Sequence, residues 1–344
     1  MSAMVQPRTS ENEMLELRSA GAWRDFTVYG VPVRSQIAFA GARPTPSRIL
    51  PRVELRLAPS SYFDAIRARA DFSRFPHSWQ DTGELADGSI YVRWPGLFEF
   101  HVSSDGCSVF CRRLRPVPDA AFETYLLGQV FSYCLLKQGV ETLHATTVEV
   151  RGRALSLLGD CGAGKSTLAA CFLAAGHRML SDDLLVLDES GPEPLVQPAL
   201  PRIKLYPEVA AEFGISTQGA APMHPSYPKL VIPLDGSAAP APAPLAALYV
   251  LAAPRSASAR RITLRRLSQK QAFLHLLAHT FNSRIVAPDR LKRLMEFTHR
   301  LAQRLPVRLV SYPRSLPDLP RVRNRILRDF ESQAARCATV GGAS

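Results

Sequence analysis

Eight consecutive residues, Gly159-Asp160-Cys161-Gly162-Ala163-Gly164-Lys165-Ser166, satisfy GxxxxGK[ST], the pattern of a loop that cradles phosphates. Gly159, Gly162 and Gly164 let the backbone curl until successive N–H groups face inward. Those donors, together with a following helix N-terminus, attract the phosphates of a nucleotide. Lys165 is long enough to reach the terminal phosphates, and the Ser166 hydroxyl is a candidate magnesium ligand. Asp160, Cys161, Ala163 and Thr167 complete the stretch that would line the nucleotide. ATP and Mg2+ are the expected cofactors. A second chemical feature, Asp182-Asp183, begins 16 residues beyond Ser166. Phosphoryl transfer has two acidic tasks, holding the metal and accepting the proton of an attacking hydroxyl. An adjacent Asp pair is ordinarily a solvated turn, but its distance from the loop favours those tasks. Their division between Asp182 and Asp183 stays open, so Ser166, Asp182 and Asp183 are all candidate metal ligands.

These residues need a strand before the loop and a helix after it. Ala154–Leu158 is an apolar run that reads as a buried strand. Ser166–Ala175 is rich in helix formers and ends at Gly176. A helix of 11 residues is about 16 Å long, so a helix and a tight turn return the chain beside the loop. Upstream, TTVEV and ALSLLG read as two strands joined at Arg151-Gly152. Before them a helix is expected over Asp119–Lys137, with Phe122, Leu126, Val130, Phe131 and Cys134 on one stripe and Gly139 at its end. From Trp23 to about Arg115, short β-branched and aromatic runs alternate with turn signals, and LFEFHVSSDGCSVFCRR reads as a hairpin around Asp105-Gly106. One helix, SSYFDAIRARADF, interrupts them. Downstream, RIKLY, KLVIPL, AALYVLAA, ITLRRL and VRLVSY are strand candidates, and SAAPAPAP reads as an extended loop. Helices are expected near Ser268–Phe281, Pro288–Arg304 and Leu319–Ser332. The fold class is α/β: a P-loop domain with a central mixed sheet and flanking helices, preceded by a mainly antiparallel β domain. The expected boundaries are 1–118 for a scaffold or docking domain with a mobile N-terminal arm, 119–333 for the P-loop domain, and 334–344 for a flexible tail.

Composition narrows the remaining options. The chain has 344 residues, 46% apolar and 21% charged, enough apolar surface for a sizeable core. No apolar stretch approaches the 18 or more residues of a membrane span, and the polar N-terminus lacks a signal-peptide core, so a cytoplasmic protein is expected. The six cysteines form no CxxC pair, and His275 and His279 sit in HLLAH without the Glu of a zinc protease motif. They read as ordinary helix histidines. The net charge is +12, yet 18 Lys/Arg against 3 Asp/Glu lie between Arg255 and Arg328. That segment alone carries +15. Without a zinc-finger or RNP motif, a solvated helix face explains it better than nucleic acid.

The segment Leu143–Leu187 resembles the C-terminal kinase domain of the bacterial HPr serine kinase/phosphorylase family. The residues carrying this are Leu143-His144, GDCGAGKS beginning 15 residues after His144, and GHRMLSDDLLVL. In that family a His lies before the first strand pair, the loop binds ATP or pyrophosphate, and an Asp pair serves metal and base. The resemblance therefore implies roles for His144, Gly159–Ser166, Asp182 and Asp183. Farther on the family has an acidic metal ligand and then an Arg that helps phosphorolysis. Glu208 in PRIKLYPE is displaced from the acidic position, and Asn-x-Arg in HTFNSRIV makes Arg284 the counterpart of the Arg. These departures weigh against the reverse reaction. The opening YGVPVRSQIAF resembles the shorter HPr-kinase-like proteins found with peptide-tailoring or polysaccharide gene sets, some of which phosphorylate the C-terminal Ser of a lasso-peptide precursor. HPr kinases are hexamers; that number is not carried over, and a homo-oligomer stays open.

The resemblance implies an ATP- and Mg-dependent kinase acting on a Ser of a peptide or small protein. The alternatives are a kinase of a small metabolite such as a sugar, a nucleotide-binding switch, and a nucleic-acid-linked ATPase. Cys161 adds one expectation. A thiol inside the loop, at a helix N-terminus, should be alkylated, with Mg-ATP protecting it.

Overall fold

The computed structural model describes residues 22–45, 49–50, 52–72, 80–252, 261–283 and 285–340. The expected N-terminal arm lies almost wholly outside the described residues. The chain forms two compact units. One holds residues up to Thr27 together with Val31–Val117, and the other holds Val28–Gly30 together with everything from Pro118 onwards.

Among the described residues the first unit is one eight-stranded sheet with one helix. Its strands are β1 (Arg24–Val28), β2 (Val31–Ser35), β3 (Arg43–Pro44), β4 (Val53–Leu57), β5 (Asp81–Glu84), β6 (Ile90–Trp94), β7 (Phe98–Val102) and β8 (Ser108–Arg113), in the order β3-β1-β2-β4-β8-β7-β6-β5. β4 runs parallel to β2 and β8, and the β1–β3, β5–β6, β6–β7 and β7–β8 pairs are antiparallel. The β7–β8 hairpin turns at Gly106, with the Asp105 carboxylate accepting from the Cys107 N–H at 2.9 Å. All five residues of β7 are buried, which places Glu99 inside, where Arg112 at 3.0 Å and the Tyr91 hydroxyl at 2.9 Å partner it. α1 (Ser60–Arg67) packs Phe63 against Tyr91.

The second unit opens with a helical rod that sequence periodicity reads as one helix. The structure divides it into α2 (Asp119–Tyr125), a π turn (Leu126–Val130) and α3 (Phe131–Lys137). One extra residue turns a helix face by about 100°, but nearly every residue from Ala121 to Leu136 is buried, so no single apolar stripe registers the shift. Such turns occur often at functional sites. Next come β9 (Leu143–Val150) and β10 (Arg153–Leu158), an antiparallel hairpin. Its two-residue turn takes positive φ at both Arg151 (51°) and Gly152 (76°), the geometry that matches strand twist. The rest comprises α4 (Lys165–Leu173), β11 (Arg178–Leu185), β12 (Leu187–Asp188), β13 (Leu195–Val196), β14 (Arg202–Leu205), α5 (Pro207–Glu212), β15 (Ala221–His224), β16 (Tyr227–Pro233), β17 (Ala243–Leu251), β18 (Thr263–Arg266), α6 (Gln269–Ala278), α7 (Pro288–Arg304), β19 (Val307–Ser311) and α8 (Leu319–Val340).

The central sheet is mixed. Its order is β11-β9-β10-β17-β13-β12, with β19 also on β17 and β18 on β19. β10, β17 and β19 are parallel. Alternation along β10 builds two cores: Leu155 and Leu157 meet residues of α4 and α8, while Ala154 and Leu158 meet residues of α6 and α7. A separate small sheet, β14-β16-β15, is antiparallel. α6 begins with Ser268 in a reciprocal capping box with Gln271, and α7 with Pro288 in its first turn. The last helix reaches Val340, past the end expected near Ser332.

Candidate functional site

Parallel strands direct ligands to their carboxyl ends, and the phosphate loop leaves the carboxyl end of β10 there. Gly159 takes φ +152°, and a Cβ on it would stand 2.8 Å from the Ala163 Cβ and 3.3 Å from the Leu251 carbonyl oxygen. Glycine is required on both counts. Gly164 takes φ +86° directly before the first residue of α4. The Lys165 ammonium folds back over the loop, donating to the Gly159 carbonyl at 2.7 Å and the Asp160 carbonyl at 3.1 Å. Burial pushes its pKa down to about 8, against the pull of Asp182.

β11 runs antiparallel beside β9, with Asp182 opposite Thr146 and Asp183 opposite Ala145. The Asp pair thus lies within a strand rather than in a turn. Asp182 Oδ1 accepts from the Ser166 hydroxyl at 3.0 Å and the Thr146 hydroxyl at 2.8 Å, and Oδ2 accepts from the Lys204 N–H at 3.1 Å. Burial favours the neutral acid, but Lys204, Lys229 and these hydrogen bonds outweigh it and hold Asp182 below the usual carboxylate range. Asp183 Oδ2 pairs with the Lys204 ammonium, which also lies 3.9 Å from Asp182 Oδ2. Burial pushes Lys204 down to about 8.

Beside Asp183 is a small, partly open cavity of about 20 Å³ lined by Tyr29, Thr124, Gly128, Asp182, Arg202 and Lys204, among others. It has room for one water molecule. The π turn brings Gly128 here, where a Cβ would stand 3.6 Å from Asp183 Oδ2. Arg202 is held by the Glu123 carboxylate at 2.9 Å and the Glu123 carbonyl at 3.1 Å.

His144 lies on β9, opposite Leu184, with its ring edge-on to Phe281. Burial, with Lys165 and Lys204 nearby, pushes it down to about 3, so the imidazole is neutral at pH 7. The backbone N–H of His144 donates to the His279 carbonyl at 2.7 Å, and His279 Nδ1 stands 3.8 Å from Asp160 Oδ1. His279 is thus the cap of α6 next to the phosphate loop, not an ordinary helix-face histidine. Arg314, beyond β19, donates to the Ala163 carbonyl of the loop and to the Tyr312 hydroxyl.

Among the sequence-derived candidates, the structure brings together the loop 159–166, Asp182, Asp183 and His144. Thr167 follows Ser166 in α4. Arg284 lies outside the described residues. Nearby, buried Arg290 donates to the carbonyls of Phe281, Asn282 and Ile285 and pairs with Glu141. Glu208 is exposed in the first turn of α5; the residue from PRIKLYPE that enters the site is Lys204. Sequence reasoning missed Thr146, Gly128, Arg202, Lys204, His279 and Arg314. Thr146 alone had a signal, the strand TTVEV beside the loop strand.

The donor set suits magnesium. Ser166 Oγ and Asp182 Oδ1 are hard oxygens that share one point of approach, and Mg2+ is commonly held by one or two carboxylates plus substrate phosphates. Among the described residues no group of three or more His, Cys, Asp or Glu could hold a metal. No described helix is long and apolar enough to cross a membrane.

No family model matches the chain. It is similar to the HPr kinase/phosphorylase of Lactobacillus delbrueckii subsp. bulgaricus, 35% identical over 81 residues, which cover 23% of this chain and 25% of that protein. It is also similar to the HPr kinase/phosphorylase of Nitrosomonas europaea, 34% identical over 68 residues, covering 20% of this chain and 21% of that protein. The matches therefore span a quarter or less of these relatives. A solved structure, the Hpr(Ser) kinase/phosphatase from Coxiella burnetii, aligns with TM-score 0.31 and 13% identity over 56% of this chain and 98% of that one.

Proposed function

We propose, from this HPr-kinase-like similarity and the geometry around Ser166, that the chain transfers the terminal phosphoryl group of ATP to a serine hydroxyl of a peptide or small protein. The observation carrying the reading is the apposition of Ser166 and Asp182 at 3.0 Å, at the mouth of a loop whose glycines and lysine suit phosphates. The loop N–H groups and the N-terminus of α4 would neutralise the phosphates, and Lys165 would exchange its two loop carbonyls for phosphate oxygens. Ser166 and Asp182 would hold Mg2+. The bound ion would supply positive charge against the oxygens of the departing phosphate. Asp183 is the base: Lys204 engages its Oδ2, which leaves Oδ1 for the acceptor. The acceptor oxygen bonds to the γ-phosphorus, the bond to the β–γ bridging oxygen breaks, ADP departs, and the acceptor proton passes to Asp183.

The similarity to kinases named for the protein HPr favours a peptide or small-protein acceptor over a small metabolite. The family resemblance extends the reading to the C-terminal Ser of a lasso-peptide precursor. The test is γ-labelled ATP with magnesium and a size-fractionated extract of the source cell, with Lys165→Ala as control. Lys165-dependent label on a peptide serine supports the proposal. Label only on a small molecule, or only as free phosphate, replaces it with the metabolite kinase or the switch.

A further inference from the structure

Asp182 is buried and Asp183 half-buried, and an ion on one edge of Asp182 leaves the opposite edge of the pair to be balanced by another cation. Asp182 Oδ1 faces Ser166 and Thr146, and that edge is where an ion would sit. The other edge is already taken. The Lys204 ammonium contacts Asp183 Oδ2 and stands 3.9 Å from Asp182 Oδ2, with its side chain only 9% exposed. The same residue's N–H is bonded to Asp182 Oδ2. Its strand is also fixed. Lys204 lies opposite Val231, and its neighbours Ile203 and Leu205 are buried in the core shared with α4. The strand holds the stem of Lys204 beside the Asp pair, and its ammonium is kept there by the two carboxylates.

We propose that at neutral pH Lys204 is the resident second cation of this site, standing where a second divalent ion would otherwise sit, so that one divalent ion accompanies the nucleotide. The inference rests on the phosphoryl-transfer reading above. In two-metal sites the ions lie roughly 3.5–4 Å apart and clamp the attacking and leaving oxygens. Here the cation on the attacking side is an ammonium carried by a strand packed into the core. It has a chemical consequence. A metal ion can turn bound water into hydroxide near neutral pH, and an ammonium cannot. Activation of the acceptor then falls to Asp183 and not to a metal-bound hydroxide.

The test counts ions. The full chain, saturated with the non-hydrolysable analogue AMP-PNP, is titrated with Mn2+, and free Mn2+ is read by electron paramagnetic resonance. The expected result is one bound ion per wild-type chain and two per Lys204→Glu chain, with folding checked by circular dichroism. Lys204→Met, which keeps the stem, replaces the Glu variant if that variant does not fold, and it too should take up a second ion. Two ions in the wild type overturn the inference, as does a single ion in the folded variants. The wild-type arm decides by itself if neither variant folds. A protein that retains AMP-PNP with two ions refutes the Lys204 assignment alone, whereas one that retains no analogue refutes the kinase reading and this inference with it.

Discussion

His144 provides a direct test of how the site is charged. Its pKa is about 3, lowered first by burial and then by the neighbouring lysines, against about 6.5 in an unfolded chain. Above pH 6.5 both states carry a neutral imidazole and the residue contributes nothing pH-dependent. Below pH 6.5 the unfolded chain takes up a proton that the folded one refuses. Stability therefore falls as pH falls, by about 1.4 kcal/mol per pH unit, until the folded-state pKa is reached. Between pH 7 and pH 4.5 this single group should remove about 2.5 kcal/mol. Other histidines with lowered pKa, such as His279 and His101, add to the total, so the comparison must be with His144→Gln. Urea titrations of both proteins at several pH values between 7 and 4.5 give the difference. The variant is less stable at pH 7 through lost packing on Phe281, and its deficit should shrink by about 2.5 kcal/mol toward pH 4.5. A deficit independent of pH, or an imidazole resonance for residue 144 that titrates near 6.5, would refute the reasoning. Either result would also restore a protonated His144 as a possible partner for phosphate.

Ser166→Ala and Asp182→Asn should each lower kcat by about 10²–10³-fold, and the double variant little further, because both act on one ion; additive losses in a double-mutant cycle would show separate roles. Arg290→Met strands the buried Glu141 carboxylate and the carbonyls of Phe281, Asn282 and Ile285. It should cost about 3–5 kcal/mol, visible as a lowered denaturation midpoint, whereas a loss below about 1 kcal/mol would mean that water replaces the guanidinium. Cys161 is exposed while Cys111, Cys134 and Cys171 are buried. Iodoacetamide should label Cys161 ahead of those three, and Mg-ATP should slow that labelling; equal rates with and without Mg-ATP, followed by peptide mass mapping, would place the nucleotide elsewhere.

What was legible in the sequence was local. The loop glycines encode a backbone conformation and its chemistry in the same residues, and the helix length between Ser166 and Asp182 follows from rise per residue. The Arg151-Gly152 and Asp105-Gly106 turns announce themselves in the same way. Lys204 did not, because it reaches the Asp pair from a different sheet, 21 residues from Asp183 in the chain. Glu208 was the more conspicuous residue chemically, but it falls in the first turn of α5, outside the strand that enters the site. Arg202 needs Glu123, 79 residues away, to be stable where it is. The π turn that brings Gly128 to Asp183 lies in a rod buried at nearly every residue, where no single apolar stripe registers it.

The Asp pair itself poses a geometric problem whose solution can be tested. Successive side chains of a regular strand point to opposite faces, yet Asp182 and Asp183 both reach Lys204. The strand breaks its own alternation. Its register with β9 shifts between Met179 and Ser181, and Asp183 takes φ +89°. A non-glycine residue held there costs about 1–3 kcal/mol, and the cost is greatest for a β-branched side chain. Asp183→Asn and Asp183→Val both remove the carboxylate and should both abolish transfer. They should differ in stability. In an ordinary strand valine is preferred and asparagine disfavoured; at this φ the order reverses, and Asp183→Val should be the less stable by about 1–3 kcal/mol. Thermal or urea denaturation of the two variants side by side decides it. A valine variant as stable as the asparagine variant would mean that residue 183 relaxes to a regular strand, and that the left-handed turn is not what aims the second carboxylate at the site.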